Sequence, residues 1–220
     1  MNEIRQRVLK MGVLVEEALQ KALTALTMQD FDLARKVQED DADIDNLQTL
    51  IEDQCIKVIA TEQPVAGSLR EIITTVKIVA DIERIGDHAR HLAHSIGSLN
   101  ERAFQHIIPQ IRDLAQKGID MLHDSLSAFV EQDAEAAVEV ARRDDEIDRA
   151  HRSLYREVLE TMRQNPEVLD EGISIMFLNR FLERLGDHVT NVCDWGVYAK
   201  KGLHMELNRT EDGKGNGTRR

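Results

Sequence analysis

Cysteine, proline and aromatic residues are scarce in this sequence. The two cysteines, Cys55 and Cys193, stand 138 positions apart. Zinc-type spacing is therefore absent, and each reads as a buried free thiol in a reducing compartment. Three prolines and 4% aromatics among 42% hydrophobic residues suit long helices packed through Leu, Ile, Val and Ala. Basic charge is also in short supply: 28 Lys and Arg against 40 Asp and Glu leave a formal charge of -12. That excess argues against nucleic-acid binding, which needs a basic face to displace counterions from phosphates. No charged-then-apolar leader opens the chain. No apolar run approaches the roughly 18 residues of a membrane span, so a soluble, cytoplasmic protein without membrane insertion is expected. Phosphate loops of the Gly-x-x-x-x-Gly-Lys type, Gly-x-Ser-x-Gly elbows and paired-cysteine motifs are missing too. NTPase and hydrolase mechanisms have nothing to act through, and the chain reads as a non-enzyme.

What the chain does have, it has twice. Asp81-Ile82-Glu83-Arg84-Ile85-Gly86-Asp87-His88 returns 100 positions later as Phe181-Leu182-Glu183-Arg184-Leu185-Gly186-Asp187-His188. Each copy sets a Glu and an Asp four residues apart, which on a helix leaves them about 40° apart on one face. A Gly inside a helical pattern costs roughly 1 kcal/mol relative to Ala. Its recurrence at Gly86 and Gly186 points to close approach of a neighbouring helix, which would draw the carboxylates toward whatever that neighbour carries.

Apolar residues at three- and four-residue steps predict a first helix over about 2–28 and a second, capped by Asp30, from Leu33 to near Ala60. After a loop over 61–67, Ser68-Leu69-Arg70-Glu71 has the form of a capping box opening a third helix. Shifting the first half by 103 lays Gln29-Asp30 on Gln132-Asp133 and Ile44-Asp45 on Ile147-Asp148, so helices four and five repeat one and two. Pro109 predicts a helix start or kink. Asn165-Pro166-Glu167 predicts a loop, and a sixth helix follows over about 170–203. The expected fold is all-α: two tandem, similar three-helix bundles of six long antiparallel helices, placed end to end or side by side. The halves divide as residues 1–103 and 104–208. Residues 209–220 carry no apolar side chain to bury and are expected to be disordered.

The second helix of each half carries its own acidic pair, Asp41 with Asp45 and Asp144 with Asp148. With Glu83 and Asp87, and with Glu183 and Asp187, each bundle has four carboxylates able to converge. Converging carboxylates raise one another's pKa unless a cation offsets them. Hard oxygen ligands without Cys point to Mg, Mn, Ca or iron. Alternatively Arg84 and Arg184, or Arg90 and Arg180, neutralise the clusters and no metal binds. One turn on, His91 and His94 face Asn191 and Asp194 as further candidate ligands or hydrogen-bonding neighbours. His88 and His188 match, but point elsewhere on the helix as packing or partner residues. Asp148-Arg149-Ala150-His151 has the carboxylate-x-x-His spacing of di-iron bundles, yet Gln48 stands at the matching place in the first half.

The doubled Glu-Arg-(Ile/Leu)-Gly-Asp-His, the loop Gln63-Pro64-Val65-Ala66 leading to Leu69-Arg70, Met11-Gly12, and the acidic motifs of helices two and five together resemble the PhoU family of phosphate-uptake regulators over residues 1–205. The resemblance implies a cytoplasmic regulator that restrains phosphate uptake and phosphate-starvation signalling. Its implied partners are the ATPase subunit of a phosphate ABC transporter, a phosphate-sensing histidine kinase and a second copy of the chain in a homodimer. It also implies multinuclear Mg, Mn or Fe clusters on Asp41, Asp45, Glu83, Asp87, Asp144, Asp148, Glu183 and Asp187. Two departures stand out. His91 replaces the Asn that the motif usually reaches, as it does at Asn191, and the chain starts closer to Met11-Gly12 than is usual. The rival readings are a carboxylate-bridged metal oxidoreductase and a metal-free helical scaffold.

Overall fold

The computed structural model describes residues 2–99, 102–205 and 207, and every regular element among them is helical. The helices are α1 (Asn2–Met28), α2 (Phe31–Glu62), α3 (Ala66–His94), α4 (Ile108–Glu131), α5 (Ala134–Ala141), α6 (Asp144–Gln164) and α7 (Leu169–Lys201). Short 3-10 turns fill Ser95–Leu99, Arg102–Ile107 and Pro166–Val168. The first three helices form one bundle; α4, α7 and the α5–α6 rod form the other. The expected tail, 209–220, lies outside the described residues.

The repeat extends to backbone conformation. Gln29 and Gln132 both take left-handed φ, 57° and 54°, and each is followed by a capping aspartate. Asp30 accepts from Leu33 N at 2.9 Å, and Asp133 accepts from Glu135 N and Ala136 N, both at 2.9 Å. With two donors on one carboxylate, Asp133→Ala is expected to cost about 1 kcal/mol, read as a shift of the urea midpoint at constant slope.

Three local expectations need correction or refinement. The third helix opens at Ala66 after Val65, with no side-chain cap. Ser68 is therefore already inside the helix, and Glu71 does not fold back as a capping box but pairs across the bundle with Arg5 of α1. Pro109 sits in the first turn of α4, where its missing N–H costs nothing. The fifth rod is interrupted at Arg142 and Arg143, and α6 opens on Asp144, Asp145 and Glu146. An acidic run at a helix start is favoured by the macrodipole; the first half, with Glu39 and Asp40 at the corresponding places, runs through as one helix.

The apolar stripes meet as their spacing requires: Val8, Met11, Val15 and Leu19 of α1, Ile44, Ile51 and Cys55 of α2, and Ile78, Ile82 and Ile85 of α3 are all buried. Burial pushes the Cys55 thiol up to about 11 and that of Cys193 up to about 12, so both stay protonated and unreactive. The bundles lie side by side, α3 against α7 and α1 against α4. Helix α1 approaches closely at Gly12, where an added methyl would stand 2.2 Å from Leu126 Cδ1.

The α3–α7 seam is an antiparallel crossing whose midpoint is His88 against His188, ring centroids 5.4 Å apart. On one side Asp81 Oδ1 accepts from His188 Nδ1 at 2.9 Å and from Asn191 Nδ2 at 3.1 Å. On the other, at the repeat-related positions, His91 stacks on Phe181 at 4.6 Å. The interface thus has twofold placement with different chemistry at its two ends. His88 is buried with neither ring nitrogen bonded. Burial, then the neighbouring His188, His91 and Arg184, lower its pKa to about 4, so it packs as a neutral ring. His88 and His188, expected as packing or partner residues, pack against each other across this seam.

Candidate metal centres

Each bundle carries its acidic pairs on two adjacent elements, α2 with α3 and α6 with α7. The structure brings the four carboxylates of each half near enough to act on one another. Burial, then the charges of Asp45 and Asp87, raise Asp41 against the pull of Arg90, and Glu83 is raised by burial and then by Asp87. In the second half burial, then Asp187, Asp148 and Glu183, push Asp144 up to about 7. Glu183 is raised by burial and then by Asp187. Among the described residues, no three His, Cys, Asp or Glu side chains already stand in metal-ligating geometry; the four are neighbours without being drawn onto a common point.

The repeated glycines explain the approach. At Gly86 the space of a side chain is taken by Ile44, whose Cδ1 would lie 3.2 Å from an added methyl. At Gly186 it is taken by a ligand candidate, because Asp144 Oδ1 would lie 2.3 Å from that methyl. The missing side chain of Gly186 is therefore what admits the Asp144 carboxylate to the α7 surface. Beside it, Glu183 Oε2 is buried without a hydrogen-bond partner while its other oxygen pairs with Arg180. A buried, unpaired carboxylate oxygen is costly unless a cation meets it. An oxygen-only donor set with one orphaned oxygen and a cradle made by Gly186 fits a hard divalent ion.

The first cluster does not fit in the same way. Arg90 Nη2 donates to Asp87 Oδ1 at 2.8 Å, and its Nε lies 2.8 Å from Asp41 Oδ2 as an ion pair not aligned for a hydrogen bond. Arg84 Nη1 donates to the other oxygen of Asp87 at 2.9 Å, and its Nε is 3.5 Å from Glu83. Burial alone would raise Asp87, but the hydrogen bonds and charges of Arg90 and Arg84 together hold it below the usual carboxylate range. Asp45 is exposed at the rim.

The further candidates turn elsewhere. His91 stacks on Phe181, His94 is exposed, Asn191 donates to Asp81, and Asp194 accepts from Leu207 N at 3.1 Å. His151, the lone di-iron-like histidine, has Nδ1 at 3.3 Å from the backbone oxygen of Asn179, whose side chain donates to the His151 carbonyl at 3.0 Å. It pins α6 to α7. Asp81 and Phe181 were not singled out by sequence reasoning, although they are the position at which the two octapeptides differ most in chemistry. Among the described residues, no helix is long and apolar enough to cross a membrane.

A family model described as the PhoU domain matches twice, over residues 8–96 and 111–196. The phosphate-specific transport system accessory protein PhoU homolog of Clostridium acetobutylicum is 37% identical over 209 residues, spanning 94% of this chain and 95% of that protein. The phosphate-specific transport system accessory protein PhoU of Escherichia coli is 32% identical, spanning 92% and 84%. Among solved structures, PhoU from Pseudomonas aeruginosa superposes with a TM-score of 0.85 at 32% identity, spanning 92% of this chain and 97% of that one. The phosphate transport system regulatory protein PhoU from Streptococcus pneumoniae superposes with a TM-score of 0.86 at 30% identity, spanning 93% and 97%.

Proposed function

This chain belongs to the PhoU family, and from that membership we propose that it is the accessory regulator of a phosphate transport system, restraining phosphate uptake and phosphate-starvation signalling. The observation that carries the proposal is the match of both repeats, each centred on an intact acidic constellation, to proteins named as accessory or regulatory proteins of phosphate transport systems. The proposed partners are the transporter's ATPase subunit and a phosphate-sensing histidine kinase, with a homodimer as the working assembly. Exposed apolar side chains supply surface for such contacts: Leu69 and Ile73 on α3, their repeat counterparts Leu169 and Ile173 on α7, and Phe177 beside them.

We further propose metal binding as part of this role. Asp144, Asp148, Glu183 and Asp187 are the residues that would hold the ion in the second bundle. When bound, a divalent Mg, Mn or Fe ion supplies the positive charge that four neighbouring carboxylates lack. The protein's own part is to place them: Gly186 of α7 admits Asp144 from the first turn of α6, and Ile147, one turn on, packs against the same glycine and holds the two helices together.

A strain lacking the gene tests the regulatory reading. It is expected to express phosphate-scavenging genes in high phosphate, and the intact gene supplied on a plasmid is expected to silence them. Unchanged expression across phosphate levels would leave the scaffold and oxidoreductase readings in its place.

A further inference from the structure

We propose that the two acidic clusters use different counterions: the Arg90 guanidinium takes the place of a metal between α2 and α3, so that metal loads only between α6 and α7. This rests on the metal-binding reading above and divides it between the halves.

The positions compared are repeat partners. Arg90 corresponds at the offset of 100 to Thr190. Arg90 bridges the two elements of the first cluster, touching Asp41 of α2 and Asp87 of α3, each at 2.8 Å. A fixed cation holding one carboxylate from each helix does what a bridging ion would do, and both oxygens of Asp87 are already engaged, one by Arg90 and one by Arg84. A metal entering there would have to displace a guanidinium that is itself held by two carboxylates.

At the position repeat-related to Arg90 the second cluster has no guanidinium. Thr190 is fully buried and gives its hydroxyl back to Gly186 O at 3.0 Å, inside its own helix. Arg180 and Arg152 each meet one carboxylate, Glu183 and Asp148, and each is about half exposed, reaching in from the outside. Neither pairs with Asp144, the residue admitted by Gly186. The orphaned Oε2 of Glu183 has no counterpart on Glu83 among the buried, unbonded atoms. Each half therefore keeps its four carboxylates, but Arg90 spans the two helices of the first while the second has Thr190 in that place and a buried oxygen, Glu183 Oε2, without a hydrogen-bond partner.

Elemental analysis and manganese calorimetry on the full chain, stripped with chelator and reloaded with Mn, test this with repeat-matched variants. Asp45→Asn with Glu83→Gln leaves both Arg90 contacts in place, so the first bundle stays folded; it is expected to leave bound metal unchanged. Asp148→Asn with Glu183→Gln is expected to remove nearly all of it. Arg90→Thr, which installs the residue of the second half, is expected to raise metal per chain, toward about twice wild type once both clusters offer the same oxygen donors. If the Asp45 and Glu83 variant loses about half of the metal, or if Arg90→Thr folds and gains none, the division is wrong although the chain still binds metal. If wild type and all variants bind none, the metal-binding reading itself fails and takes the inference with it.

Discussion

In chelator, Asp144→Asn is expected to match wild type in stability near pH 4 and to exceed it progressively up to about pH 7, with no further change above. The folded-state pKa of Asp144 is about 7, while an unfolded Asp titrates near 3.9. Between those values the folded wild type holds a proton that the unfolded chain has lost, so its unfolding free energy falls as pH rises. Above the folded pKa both states are ionised and the loss is complete. Asparagine is neutral throughout and keeps the shape, so it escapes the loss.

Three pH units on an isolated group would correspond to about 4 kcal/mol. Asp144 shares its proton affinity with Asp187, Asp148 and Glu183 and is partly solvated, which reduces the figure to roughly 1–2 kcal/mol, or about 2–8 °C in melting temperature. His88 slopes the other way below pH 6.5, because a buried neutral histidine loses stability as it is forced to charge. It is present in both proteins, so the difference between their melts isolates Asp144. Added Mn reverses the order: at a hundred times its dissociation constant it stabilises wild type by about 2.7 kcal/mol, and the variant by much less. Parallel melts of the two proteins across pH 4–8 in chelator would show that the Asp144 carboxyl is not held in a desolvated, like-charged site. An equal rise of both in Mn would place the metal elsewhere.

The repeat made the nearness of these carboxylates legible before any coordinates, and its physical cause is plain. A glycine retained twice in the middle of a helix signals close approach, and at Gly186 the approaching atom is the carboxylate of the second-helix acidic pair. The six rods and their turns were legible for the same reason, since three- and four-residue spacing and Asp caps are local signals. Charge placement across helices was not. Arg90 and Thr190 are both ordinary helix residues, and only the crossing of α2 with α3 shows that Arg90 spans Asp41 and Asp87. The interruption at Arg142 and Arg143 carries neither Gly nor Pro, so no breaker marks it. Glu71 satisfied a local capping pattern, yet its ion pair with Arg5, 66 residues away, prevailed. For Arg90 and Glu71 a tertiary partner decided what a local pattern left open.

The stretch between the bundles is where local reading says least and where the largest loss on mutation is expected. Residues 96–107 have no helical periodicity of any length, and a tether between two repeats would look the same. In the structure Phe104 and Ile107 are fully buried, and their 3-10 turn packs on α4 and α6. The ring of Phe104 also reaches α7: its Cζ would lie 3.2 Å from a methyl added at Gly172. Phe104→Ala is therefore expected to cost about 3–5 kcal/mol, the sum of lost burial and a cavity that three helices cannot close. For a chain of this size that is on the order of 10 °C in melting temperature. Arg102→Ala, two residues earlier and exposed, is the control and is expected to change stability by less than about 0.5 kcal/mol. Chemical denaturation of both variants decides between core and tether. A Phe104→Ala midpoint within error of wild type would mean that the bundles are joined by a spacer and that the turn contributes nothing to the packing of α4, α6 and α7.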